Sequence, residues 1–238
     1  PERIDLGVGR APGTDMNTLG RALRRDGQSA ERFPEDVKEL NAYLEGKAYI
    51  PGVSAVPGAN TNVPIYILGS SMFGASLAAK LGLPYAFASH FAPQHLEEAT
   101  TYYRENFQPS ERFSEPYVIA GVNVTAADTM QEAEAEYERV CFNRVKSFAG
   151  RGKYLTDQQV EQIIESYQGQ QILDMLRYSA IGTTKEVTEY LEKFQEHAKA
   201  DELMISLQSS SHENVIKNMH VLAEGWQLDP ANVAGTPR

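Results

Sequence analysis

The sequence predicts an α/β protein with a parallel sheet. Three observations carry that prediction. Short apolar runs alternate with segments of helical period five times along the 238 residues. Several of those runs are apolar throughout rather than alternating, as in strands covered on both faces. One stretch, Val63 to Phe91, contains a complete strand, turn, helix and second strand. Strand followed by helix in this way implies parallel pairing with the helices outside. Five such units fit an open doubly wound sheet or the last five of the eight in a barrel, and periodicity alone does not choose between them.

In chain order, Ile4–Val8 predicts a strand that runs into Gly9-Arg10-Ala11-Pro12-Gly13-Thr14-Asp15. Gly7, Gly9 and Gly13 do not make a dinucleotide fingerprint, which needs its third glycine three residues after the second. Arg10 is left at the carboxyl end of a strand, among residues that let a ligand approach the backbone. That position suits bidentate contact with a phosphate, and a solvated surface arginine is the plain alternative. Thr14–Asp26 continues as a helix with Leu19, Ala22 and Leu23 on one face and Arg21, Arg24 and Arg25 off it. Ser29–Leu44 is a second helix, with Val37, Leu40 and Leu44 on its core side. Glu45–Asn62 has no period, and a loop of that length inside a domain reads as a lid or binding loop.

Ile65–Leu68 is the strand of the central unit, and it stops at Gly69-Ser70-Ser71. Ser70 and Ser71 stand before the helix Ala75–Leu81, where small hydroxyl residues act as caps and the unpaired N–H groups of the first turn can hold an anion. Their place at the carboxyl end of a strand, where parallel α/β folds bind ligands, favours the anion. Gly74 is expected to let that anion come close. Gly82 ends the helix, Leu83-Pro84 turns the chain, and Tyr85–Phe87 begins the next strand.

Helix follows at Gln94–Asn106, strand at Tyr117–Val124, and a long acidic helix at Met130–Phe148 whose charges are read as a solvated face. Leu155–Leu176 is predicted as further helix, capped by Asp157 and weak at Gly169. Thr183 and Glu186 outline a capping box for a helix to about Ala198. Leu203–Leu207 is the last strand and Glu213–Glu224 the last helix.

Composition narrows the function. A net charge of −10 argues against nucleic acid as the main partner. The single cysteine, Cys141, leaves no internal disulfide framework and no cysteine zinc site, and it fits a reducing cytosol as a small apolar filler. With no bilayer-length apolar run and no signal peptide, a soluble cytoplasmic protein is expected. His95, His197, His212 and His220 are read as surface or packing residues, and their spacing gives no metal site.

The motifs Arg3 to Asp15, Leu68-Gly69-Ser70-Ser71, and Pro84-Tyr85-Ala86-Phe87-Ala88-Ser89-His90-Phe91-Ala92-Pro93 resemble those of the bacterial luciferase-like, flavin-dependent monooxygenases, in the alkanal-monooxygenase-like subgroup. The resemblance runs along nearly the whole chain, including Gly182-Thr183 and Asp201-Glu202-Leu203-Met204. It implies a single domain over residues 1–238 of the (β/α)8 TIM-barrel type, with this chain covering about strands 4 to 8. The opening Pro1-Glu2-Arg3, with no start methionine, matches that expectation of a missing N-terminal part, roughly 90–100 residues at the usual size of a barrel unit.

Carried over by position, the resemblance implies that Arg10 and Ser71 bind the phosphate of FMN, with Gly9, Gly69 and Ser70 beside them. It also implies that Ala88, Ser89 and His90 face the flavin ring or the substrate. Ser70 stands where the luciferase branch has an acidic residue and Gly74 where it has a hydroxyl, so backbone N–H groups carry more of the binding. Such an enzyme takes reduced FMN from a separate reductase, adds O2, and acts on a small organic substrate such as an aldehyde, commonly as a homodimer. A non-catalytic flavin-binding protein and a deazaflavin-dependent oxidoreductase are the alternatives. The assisting histidine of the luciferase branch falls in the missing part. His90 is the local candidate for proton transfer, against the reading of a hydrogen-bonded structural histidine.

Overall fold

The computed structural model describes residues 3–10, 29–150 and 152–226, and the helix expected at Thr14–Asp26 lies outside them. Two compact units partition the chain. One is Pro1–Ala86 with Thr101–Tyr117, the other Phe87–Thr100 with Val118–Arg238.

In the first unit, β1 (Leu6–Gly9) and β2 (Ile65–Gly69) pair in parallel, Leu6 opposite Ile65 and Gly9 opposite Leu68. A parallel pair needs a crossover rather than a hairpin, and this one contains α1 (Ser29–Leu44). From β2 the chain passes through α2 (Met72–Leu81) to β3 (Tyr85–Phe87). Small residues let α2 lie close on β2: Ala75 and Ala78 are wholly buried, as are Ile65 and Ile67. Gly82 closes the helix at φ 61, a left-handed conformation in which a Cβ would also stand 2.4 Å from Gln108 O. Tyr103, on α3 (Leu96–Asn106), is fully buried; its hydroxyl donates to Leu83 O at 3.0 Å and accepts from Tyr117 N–H at 3.1 Å.

The loop between α1 and β2 is tied down at its base. Asn62 N–H bonds Leu44 O at 3.1 Å, and Leu6 N–H bonds Pro64 O at 2.8 Å. Its base therefore lies at the amino-terminal end of β2, while Ser71 follows the carboxyl-terminal end. An α-to-β connection in a parallel fold delivers the chain to that end of the strand.

In the second unit, β4 (Val118–Ala126) is buried at all nine positions. It pairs in parallel with β5 (Ser179–Gly182) on one side and β6 (Glu202–Leu207) on the other, so that Asn123 faces Ser179 and Ser206. β5 was not expected: Ser-Ala-Ile-Gly has a single β-branched residue, and its pairing with β4 rather than its own propensity makes it a strand. The acidic helix is α4 (Met130–Gly150). The helix expected across Leu155–Leu176 is two, α5 (Asp157–Ile164) and α6 (Tyr167–Asp174). Ser166 opens α6 by accepting from Gly169 N–H at 3.2 Å. The cap of α5 is Thr156, not Asp157, in a capping box with Gln159. Glu186 reaches back to Thr183 N–H at 3.1 Å at the start of α7 (Thr184–Ala198), as the sequence predicts. α8 (His212–Gly225) ends the described chain. Among the described residues, no helix is long and apolar enough to cross a membrane.

Candidate functional site

At the carboxyl ends of β1 and β2 the structure brings together Gly9, Arg10, Gly69, Ser70 and Ser71. Gly9 pairs with Leu68, so Arg10 and Gly69 each lie one residue past the ladder. The Arg10 guanidinium carbon stands 4.0 Å over the centre of the Phe73 ring, in the first turn of α2. Arg10 is exposed and forms no ion pair with a described residue. Ser71 is the N-cap of α2 in extended backbone, yet its side chain makes no capping bond. The turn is fixed instead through its backbone: Tyr85 OH donates to Ser71 O at 3.1 Å. The first-turn N–H groups of α2, without intrahelical partners, thus keep a guanidinium and a hydroxyl as neighbours.

Gly74 does not serve as open space for an anion. It is buried, and a Cβ there would stand 3.0 Å from Tyr85 Cε2 and 3.5 Å from Gly69 Cα. Glycine at 74 lets α2 pack on the strands and against the Tyr85 ring.

Ala88, Ser89 and His90 belong to the other unit and follow β3. Ser89 is fully buried and its Oγ donates to Gly121 O at 2.5 Å, so its hydroxyl is committed to the fold. Asn123 Nδ2 donates to His90 O at 2.8 Å. The His90 ring is half-buried and edge-on to Phe91 at 4.9 Å, and its Nδ1 has no partner among the described residues. Burial, with a further contribution from the Arg144 charge, holds the imidazole below its ordinary pKa. Asn123 was missed by sequence reasoning, although a lone asparagine within Val-Ile-Ala-Gly-Val-Asn-Val is a visible anomaly in a buried strand.

The family model described as luciferase-like monooxygenase matches residues 1–201. The chain belongs to the luciferase-like monooxygenase family. Among the relatives of this luciferase-like chain, YvbT of Bacillus subtilis (strain 168) is 38% identical over 232 residues, which are 95% of this chain and 68% of YvbT. A luciferase-like monooxygenase of Escherichia coli (strain K12) is 39% identical over 218 residues, 90% of this chain and 64% of that protein. The chain thus spans about two-thirds of the length of these relatives. The crystal structure of apo-MsnO8 covers 100% of this chain and 70% of its own at a TM-score of 0.79 and 29% identity. The α/β fold with parallel strands is therefore that of the luciferase-like TIM-barrel proteins.

In this luciferase-like chain a second strand-end loop, Ser209-Ser210-Ser211 after β6, has the composition of an anion site but is already filled. Glu136, on α4 and only 4% exposed, accepts from Ser209 Oγ at 2.7 Å, from Ser210 Oγ at 2.9 Å and from Ser210 N–H. Arg139 Nε donates to the same carboxylate at 2.9 Å. Burial alone would push the carboxyl up; the donors from Ser210, Ser209 and Asn214 outweigh it and hold it at about 2. The acidic face of α4 is thus not wholly solvated, and this carboxylate pins the last strand's loop.

Proposed function

We propose that the chain binds FMN through its phosphate at Arg10, Ser71 and the first turn of α2, with Gly9, Gly69 and Ser70 alongside, in a monooxygenase that acts with O2 on a small organic substrate such as an aldehyde. The observation that carries this is the Arg10 guanidinium at the start of a helix whose N-cap hydroxyl makes no capping bond. A dianion placed there meets backbone N–H groups, a hydroxyl and a fork of guanidinium donors, and the helix dipole has the favourable sign. No carboxylate among the described residues competes for Arg10. The Phe73 ring, 4.0 Å from the guanidinium carbon, holds the charge at the helix start by cation–π attraction.

Reduced flavin supplies the oxygen chemistry when bound; the protein holds and orients it and keeps water from the reacting atoms. Neutral His90 belongs on the ring or substrate side in this reading, with Ala88 beside it. Delivery of reduced FMN by a separate reductase and a homodimeric assembly complete the proposal, the latter checked by light scattering.

Titration with FMN and with riboflavin, which lacks the phosphate, tests the site. Arg10→Ala should weaken FMN binding by about 1.5–3 kcal/mol and Ser71→Ala by about 1 kcal/mol, with riboflavin indifferent to both. FMN dissociation constants unmoved by either substitution would remove the phosphate site. Stronger binding of a deazaflavin than of FMN would reassign the cofactor. Oxygen uptake that no aldehyde alters would point to a flavin-binding protein without this activity.

A further inference from the structure

Three buried side-chain polar atoms lack a partner among the described residues: Asn41 Oδ1, His90 Nδ1 and Asn123 Oδ1. The last two share one compact unit and one side of β4. Residues two apart on a strand face the same way, so position 121 and Asn123 lie on one face. The His90 ring fills the space a side chain at 121 would take, since a Cβ on Gly121 would stand 2.2 Å from Nδ1. The strand has given up a side chain to seat an imidazole whose Nδ1 has no partner among the described residues.

Hydrogen bonds hold the asparagine amide and the backbone that carries the imidazole. Ser89 Oγ to Gly121 O and Asn123 Nδ2 to His90 O fasten residues 89 and 90 along β4. The second bond also fixes the asparagine amide, so that Oδ1 is the end left over. Asn123 has no exposed surface. A buried carbonyl without a donor is costly, and folds keep one where another molecule supplies the missing hydrogen.

We propose that His90 Nδ1 and Asn123 Oδ1 form a polar subsite for the neutral, hydrogen-donating head of a small ligand: an amide, imide or hydroxyl. Charge selects the class. A carboxylate would bring its own acceptors against the Oδ1 lone pairs. A cation would find no anion here, and the nearby Arg144 guanidinium, already bonded to Gln208 Oε1 at 2.9 Å, opposes it. A neutral N–H or O–H satisfies Oδ1 directly, and His90 can offer or accept the second bond according to its tautomer. Two sources could present such a group, an organic substrate or the imide edge of a flavin ring. The subsite lies within the second unit; it rests on the reading of His90 as facing the ring or substrate, and not on the phosphate contacts proposed at Arg10.

The test follows the His90 ring nitrogens by 15N NMR while the unmodified chain is titrated with hexanamide, hexanoate and lumiflavin, which carries the imide but no phosphate. The expected result is a shift of the Nδ1 resonance with hexanamide, lumiflavin or both, and none with hexanoate at equal concentration. A shift with lumiflavin assigns the group to the flavin ring; a shift with hexanamide alone assigns it to the substrate. His90→Phe keeps a ring over Gly121 and should raise the dissociation constant of the responding probe at least tenfold. An Nδ1 resonance unmoved by every probe, as for a site holding one structural water only, overturns the subsite, as does an unchanged affinity in a folded His90→Phe protein. Arg10→Ala leaves lumiflavin binding unchanged, so loss of the phosphate site and loss of this one are told apart.

Discussion

Replacing Glu136 by glutamine should remove the part of the protein's acid sensitivity that comes from this carboxylate. The Glu136 carboxylate is held at about 2 against an ordinary glutamate value of 4.5. At about 1.4 kcal/mol for each tenfold change, that gap corresponds to about 3 kcal/mol of stability. Because the folded value is depressed, this contribution is fully present above about pH 4.5 and is lost as pH falls from there toward about 2. At about pH 3.5 the wild-type chain should already have lost about 1.4 kcal/mol from this group alone. Glu136→Gln has no carboxylate to protonate, so it should be less stable by about 2–3 kcal/mol at pH ~7 and should approach wild type as the solution is acidified. Urea unfolding of both proteins at about pH 7, 5 and 3.5 measures this, and the difference between them cancels the other carboxylates. Parallel stability curves, with a constant gap at every pH, would refute the reasoning. They would mean that the serine donors contribute packing alone.

Gly169→Ala should destabilise by about 2–3 kcal/mol, the scale of overpacking, since the new Cβ would stand 1.9 Å from Ile163 O, a backbone atom that cannot rotate away; thermal melts check it. Thr156→Ala should cost about 1 kcal/mol by removing the cap of α5, and Asp157→Ala should leave that capping bond in place; urea midpoints of the pair distinguish the two residues. Tyr85→Phe should cost about 1 kcal/mol through the lost bond to Ser71 O, and it should weaken FMN binding if that bond holds the serine turn in place.

The strands were legible where composition alone decides them. Ile65–Leu68 and Tyr117–Val124 are apolar runs that appear in the structure within two residues of their expected limits, but only the second is covered on both faces; in the first, Ile65 and Ile67 are buried and Leu68 is exposed. β5 was not legible, because Ser-Ala-Ile-Gly carries one β-branched residue and its pairing with β4 makes it a strand. The break between α5 and α6 was half legible: Gly169 was marked as weak, but the weakness is steric contact with Ile163, and the break falls at the cap Ser166.

Roles were harder to read than positions. Local pattern places Arg10, Ser70 and Ser71 at strand ends, because that depends on where strands stop. It cannot say what a small residue makes room for. Gly74 and Gly121 look alike in sequence, yet one makes room for Tyr85 and the other for the His90 ring. Nor can it say which carboxylate of an acidic helix turns inward, since Glu136 is chosen by Ser209 and Ser210, more than 70 positions away. What the sequence does mark is incongruity, a lone Asn123 in an apolar strand. Burying a polar side chain is costly enough that it is retained for a reason, and following such residues to their unpaired atoms finds subsites that pattern matching does not.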